Sequence, residues 1–414
     1  MKKTLLTLLL GFILFSSDAQ SLRELYQAGL AAYEKGDYQL FKEKMFTIDT
    51  MRPNYPPVVY NLACAYALTN ESDDAILTLE KYTWMDATKD YEKENDLAII
   101  KSLDGYKKIL ELQEQLSKEL KPDIAFEFPI LKSHSECITY SKNQKAHFMG
   151  GVRDGRIWKI KNGDTPEVWS ESPENSWSVM GITLSKDEKT LWACTAAMGN
   201  FEGLKEEDKG KASVLMFDAK KGKLLETFAL PANHVFGDMI LDSKGNAYIS
   251  DGTANKIYWV SQEKGKLGEF LDLSGTVFNL QGLTLNESES AIYVSDYIDG
   301  IYKIDLSTKE FKKLATPNDV LLKGIDGLYF LNNTLIGLHN GMTPNRVVKY
   351  MLSSNGEEIT GKEVLAQAGI LGEPTQGTIV DNKLYYILNS PWGSYDRENN
   401  FSVDEENIKI GVIE

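Results

Sequence analysis

Residues 324–341 read GIDGLYFLNNTLIGLHNG. Asp326 stands directly before a glycine at the start of an apolar strand, and His339 follows thirteen positions later. The same arrangement recurs along two thirds of the chain. It opens the segments HSECITYS at Glu136, VMGITLS at Met180, FGDMILD at Asp238, LQGLTLN at Gln281, IDGLYFL at Asp326 and TQGTIVD at Gln376. Successive openers lie 44, 58, 43, 45 and 50 residues apart. The one long interval holds GNFEGLKEEDKGK, a charged insertion that reads as a surface loop. All openers but the first have a glycine beside them.

Between these openers, Tyr, Ile and Val alternate with polar residues and are punctuated by Asp-Gly, Asn-Gly and Lys-Gly turns. That is a strand period. Four strands every 40 to 50 residues is the signature of a β-propeller, and residues 121–414 hold six such units. A second residue marks the end of each following strand: Met149, Thr195, Asp251, Asp296, His339 and Asn389. Antiparallel neighbours bring the start of one strand and the end of the next to one rim. Both sets are therefore expected to ring one mouth of the central channel. Asp251 and Asp296, in YISDG and YVSDY, also suit turn-forming aspartates.

Residues 20–120 follow a different period. SLRELYQAGLAAYEKGDYQLFKEKMFTIDTMRP spaces its apolar residues by three and four, with a turn at Gly36 and a stop at Pro53. PPVVYNLACAYALTNESDDAILTLEKYTWM repeats the scheme. These stretches look like tetratricopeptide-type hairpins, with Gly29, Gly36, Tyr38 and Pro53 matching in the first and Leu62, Ala63, Tyr66 and Ala75 in the second. The fold class expected is a short α-helical repeat domain followed by an all-β, six-bladed propeller.

The first 19 residues, MKKTLLTLLLGFILFSSDA, have a lysine-led start, an apolar run and a small-residue exit. This is a secretory signal layout with cleavage after Ala19, which places the protein in the periplasm or outside the cell. No later segment suits a membrane span. With 60 acidic and 45 basic residues, net −15, the chain is a poor partner for nucleic acid. Cys64, Cys137 and Cys194 form no CxxC and read as buried thiols.

Glu136, Asp238 and Asp326 offer carboxylates from three blades, and Gln281 and Gln376 add amide oxygens. Carboxylates crowded in a partly dry channel repel one another, and a divalent cation relieves the repulsion. Oxygen donors suit calcium first, with magnesium or zinc after it. No GxSxG, phosphate-binding P-loop or HExxH motif occurs.

Roughly residues 130 to 400 resemble the gluconolactonase and regucalcin-like propellers, six-bladed metal-dependent lactonases and esterases. The resemblance implies a divalent ion held by Glu136, Gln281 and Asp326, with Asp326 also as general base. It places Asp238, His234, His339 and Gln376 at the substrate end. Two positions depart from the family pattern. Gln281 stands for an asparagine, and Gly237 replaces a substrate-contacting asparagine. The function implied is hydrolysis of a small lactone or ester. The competing reading is a non-catalytic scaffold that binds a peptide or glycan on the propeller and a protein partner on the helical repeats.

Overall fold

The computed structural model describes residues 17–161, 164–261, 265–369, 371–405 and 407–414. The expected signal segment lies outside the described residues, except that residues 17–19 begin the first helix. The chain divides into two compact units. The first holds residues up to 82, 90–109 and 395–401; the second holds 83–89, 110–394 and 402–414.

Five helices precede the sheets: α1 (Ser17–Glu34), α2 (Tyr38–Met51), α3 (Pro56–Leu68), α4 (Ser72–Met85) and α5 (Asp104–Ser117). Within the first unit, α1 and α2 turn at Gly36, whose φ of +76° suits a residue without a Cβ. Asp37 then caps α2 by accepting from the Leu40 amide at 3.1 Å. A Cβ on Gly29 would lie 2.4 Å from the Met45 methyl, so glycine sets how closely these helices approach. Ala32, Phe41, Met45, Ile48, Val58, Leu62 and Ala65 form the core between them. No helix among the described residues is long and apolar enough to cross a membrane.

The second unit is a six-bladed propeller of four-stranded antiparallel sheets. The chain enters on β1 (Asp123–Phe128), which belongs to the last blade. Blade 1 is β2 (Ser135–Ser141), β3 (Ala146–Gly151), β4 (Ile157–Lys161) and β5 (Glu167–Ser170). Blade 2 is β6 (Ser178–Leu184), β7 (Thr190–Ala196), β8 (Ala212–Asp218) and β9 (Leu224–Leu230). Blade 3 is β10 (Phe236–Leu241), β11 (Ala247–Asp251), β12 (Lys256–Ser261) and β13 (Lys266–Asp272). Blade 4 is β14 (Leu280–Leu285), β15 (Ala291–Asp296), β16 (Gly300–Asp305) and β17 (Phe311–Lys313). Blade 5 is β18 (Ile325–Leu331), β19 (Thr334–His339), β20 (Arg346–Leu352) and β21 (Ile359–Gln367). Blade 6 is β22 (Gly377–Val380), β23 (Lys383–Ile387) and β24 (Ile408–Ile413), completed on its outer side by β1. Strands from both ends of the propeller segment thus share one sheet, which closes the ring.

Every opener of blades 1 to 5 falls where the pairing register slips. The shifts lie between Ser135 and Cys137, Val179 and Gly181, Phe236 and Met239, Leu280 and Leu283, and Ile325 and Gly327. A bulge of this kind re-aims the extra residue's side chain away from the sheet. The glycine beside the opener of blades 2 to 5 meets the next blade. A Cβ on Gly282 would lie 2.3 Å from the Asp326 carbonyl oxygen and 2.6 Å from the Leu328 amide; one on Gly327 would lie 2.4 Å from the Thr375 carbonyl oxygen. Cys64, Cys137 and Cys194 are buried and form no disulfide among the described residues.

Gly282→Ala should therefore destabilise the protein by about 1–3 kcal/mol, because backbone of the neighbouring blade must move. Gly268→Ala, whose Cβ would meet only the Trp259 indole nitrogen at 4.0 Å, is the control expected to stay near wild type. Urea midpoints of the two variants check this.

Candidate functional site

The bulges of blades 1 and 5 bring Glu136 and Asp326 into one electrostatic neighbourhood. Burial, and then the Asp326 charge, pushes the Glu136 carboxyl well above its usual range. Burial likewise raises Asp326 to about 6. Glu373, in the loop leading to β22, is raised to about 7 by burial and by Asp326. Neither Glu136 nor Asp326 forms an ion pair with a cation among the described residues. Each is held instead by neutral donors on one oxygen only. Trp392 Nε1 (2.7 Å) and Ser390 Oγ (2.9 Å) donate to Glu136 Oε2. Asn340 Nδ2 donates to Asp326 Oδ2 at 2.6 Å. The Tyr297 hydroxyl donates to Asn340 Oδ1 at 2.9 Å. Tyr297 stays protonated because burial and then Asp326, Glu373 and Glu136 raise its pKa.

Of the other residues singled out in the sequence, Asp238 lies close enough to Asp326 to feel its charge. Burial comes first among the causes that push its pKa up to about 7. Both its oxygens are taken by backbone amides, Met239 at 2.7 Å and Leu283 at 3.3 Å. Gln376 reaches from blade 6 to blade 3, donating from Nε2 to the Gly237 carbonyl at 2.8 Å. Gln281 is engaged within its own blade and toward blade 3. Its Nε2 donates to Asn279 Oδ1 at 2.6 Å, and its Oε1 lies 3.0 Å from where a Gly237 side chain would begin.

The strand-end residues do not form the second ring that the spacing suggested. His339 is fully buried, with Nδ1 2.8 Å from the Lys323 carbonyl and Nε2 2.7 Å from the Tyr350 hydroxyl. Asp296 accepts from the Phe278 and Asn279 amides, and Asp251 from the Val235 amide and from His234 Nδ1 at 2.7 Å. Met149 packs in an apolar cluster. These residues tie strand ends to the loops that enter the inner strands. His234 sits half-buried on one such loop.

Asn340, Tyr297, Glu373, Ser390 and Trp392 were not foreseen from sequence. Asn340 could have been, since it stands one position past the strand-end residue that the repeat marks. The loop residues follow no period. A cavity of about 350 Å³ opens at the rim of blade 1, lined by Ser133, Arg153, Asp154, Arg156, Trp158 and Glu202 among others. His134, between that cavity and Glu136 in sequence, meets the Trp392 ring edge-on at 4.4 Å.

The donor chemistry of Glu136 and Asp326 fits a hard divalent cation: two carboxyls resist sharing their charge, and Oε1 and Oδ1 accept no hydrogen bond among the described residues. Of the third implied ligand, Gln281, the Nε2 is engaged by Asn279. Among the described residues no group of three or more His, Cys, Asp and Glu could hold a metal.

No protein-family model and no curated protein matches the chain. Similar solved structures include virginiamycin B lyase from Staphylococcus aureus, with TM-score 0.48 and 14% identity over 70% of this chain and 99% of that one. Regucalcin from Agrobacterium tumefaciens, described as a calcium-binding protein, gives 0.48 and 12% over 70% and 93%. A putative oxidoreductase (glucose dehydrogenase) from Thermus thermophilus gives 0.47 and 12% over 72% and 99%.

The folded state holds the Asp238 proton more tightly than the unfolded chain, whose carboxyl titrates near 3.8. Its contribution to stability is therefore greatest at low pH and falls as pH rises from about 4 to about 7. Asp238→Asn should flatten the stability profile over that window in urea titrations at stepped pH. An unchanged slope would show that Asp238 titrates normally.

Proposed function

We propose that the protein is an exported hydrolase of lactones or esters that works with one divalent cation, calcium first, at Glu136 and Asp326. The observation that supports this is the buried carboxyl pair, each member held on one oxygen by neutral donors and left with the other unbonded. A cation bound there would polarise the substrate carbonyl and lower the pKa of bound water. Asp326 Oδ1 takes the proton from the attacking water as its oxygen bonds to the carbonyl carbon. When the carbon–oxygen bond of the ester breaks, the leaving alkoxide needs a proton. Glu373, with a pKa pushed up to about 7, is partly protonated at neutral pH and can deliver it. Gln376, His234 and Asp238 belong on this reading to the surroundings of the substrate. His339, with both ring nitrogens engaged, serves the fold instead.

A second reading has its own support. Gln376 spans from blade 6 to blade 3, and Gln281 faces Asn279, so the channel axis is crossed by side-chain amides. A propeller closed in this way suits a binding module that engages a peptide or glycan at its rim, with the helical unit free for a protein partner. Fold alone does not choose between the two, since propellers serve both ends.

Calcium titration by calorimetry on the protein lacking residues 1–19 distinguishes them. The hydrolase reading expects binding that Asp326→Asn abolishes. It also expects turnover of δ-valerolactone or p-nitrophenyl acetate that the same variant lowers by about 10²–10⁴-fold, the range for losing a general base. A wild type that neither binds calcium nor turns over either substrate excludes the hydrolase and leaves the binding module.

A further inference from the structure

We infer that Asn340 is the positioning residue of this site, selecting which oxygen of Asp326 works, and that Tyr297 acts through it. The inference deepens the hydrolase reading and rests on it.

The hairpin of β18 and β19 returns the chain to the rim where it started, so Asn340 follows the last residue of β19 and lies beside Asp326, the second residue of β18. The loop there is wedged tightly. The Asn340 amide donates to the Gly324 carbonyl at 3.1 Å. Gly324 has φ +71°, and a Cβ on it would lie 2.5 Å from the Gly341 Cα. A Cβ on Gly341 would lie 2.8 Å from the Tyr297 hydroxyl. Lys323 Nζ donates to the Gly341 carbonyl at 2.9 Å. Asn340 is thus fixed by its backbone before its side chain makes any contact.

The side chain then has one workable orientation. Its NH₂ faces Asp326 Oδ2 at 2.6 Å, and its oxygen receives the Tyr297 hydroxyl at 2.9 Å. Turned over, the amide would set its oxygen against a carboxylate oxygen that has no hydrogen to offer it. The χ2 torsion of aspartate is broad and roughly two-fold, so without a partner the two carboxylate oxygens exchange places freely. Asn340 removes that freedom and commits Oδ1 to the reacting side. It does so without charge. An arginine or lysine in its place would neutralise Asp326 and remove the basicity and cation affinity the site depends on.

The test uses the chain lacking residues 1–19, with calcium as the cation and p-nitrophenyl acetate as the substrate. Asn340→Ala is expected to weaken calcium binding about tenfold or more, and to lower kcat about 10–100-fold with KM within about threefold, as for groups that orient ligands from behind. Tyr297→Phe should give a smaller loss of the same kind. The double variant should lose no more than Asn340→Ala alone, because the hydrogen bond that the Tyr297 hydroxyl donates goes to Asn340. Losses that multiply in the double variant overturn the relay from Tyr297. An Asn340→Ala protein that stays within about threefold of wild type in both measurements overturns the positioning role while leaving the hydrolase standing. A wild type without calcium binding or turnover sinks both together. If Asn340→Ala does not fold by circular dichroism, Asn340→Ser replaces it and the same limits apply.

Discussion

Six strands can converge on one axis only where backbone meets backbone, and the rest of this propeller follows from that crowding. Gly181 leaves room for Asp238 and Met239, Gly282 for the Asp326 carbonyl and Gly327 for the Thr375 carbonyl. Each contact joins one blade's inner strand to the next. In blade 1, which has no glycine beside Glu136, the room comes from Gly150 on β3, where a Cβ would lie 2.3 Å from Val179. The bulge at the openers of blades 1 to 5 is the other half of the arrangement. A regular strand would turn alternate residues into the sheet faces, whereas the extra residue turns its side chain inward. Close approach and inward projection therefore occur at the same positions, and the polar groups of the channel are a consequence of how the ring closes.

Placing acids at those positions has an electrostatic cost that the fold only partly offsets. Glu136, Asp238, Asp326 and Glu373 all have raised pKa values, and burial is the leading cause for each. The two kinds of partner they find separate structural from chemical roles. Asp238 gives both oxygens to backbone amides of β10 and β14, which ties blade 3 to blade 4. Glu136 and Asp326 give one oxygen each to neutral side chains carried by loops. Hydrogen bonds of that kind orient a carboxylate and lower its pKa without cancelling its charge. What remains is negative charge in a confined space, the condition under which a proton or a cation is held.

The ring was legible because its signals are local and periodic. Glycine beside a polar opener, at intervals near 45 residues, reports the crowding directly, and strand alternation reports the sheets. The partner of Asp326 was missed for a reason built into strand geometry. His339 stands in register with Ile325 at the end of β19, and its ring is enclosed beside Lys323 and Tyr350. Asn340, one residue later, points to the other side, and a spacing of fourteen rather than thirteen marks it. The repeat located the rim correctly and chose the wrong neighbour on it. Ser390 and Trp392 lie in the segment between β23 and β24, where no period applies, so only the folded chain brings them to Glu136. Gln281 shows the limit of matching donor types. Its side chain reaches Asn279 and the space above Gly237.

Blade 6 has two tasks that pull in the same direction. Its sheet joins strands from both ends of the propeller segment, so it closes the ring, and its opener Gln376 crosses to the Gly237 carbonyl, so it also closes the axis. The amide of Gln376 donates to the Glu136 carbonyl at 3.2 Å, and the Thr375 hydroxyl donates to the same oxygen at 3.0 Å. The backbone that carries Glu136 is therefore pinned from the closing blade, as its carboxylate is by Ser390 and Trp392 from that blade's long loop. Ring closure and the geometry of the first carboxylate are one set of contacts. The Asp326 carboxylate takes its support from its own hairpin and from Tyr297 of blade 4. Thr375 links the two acids, since its hydroxyl bonds the Glu136 carbonyl and its own carbonyl packs against Gly327 beside Asp326.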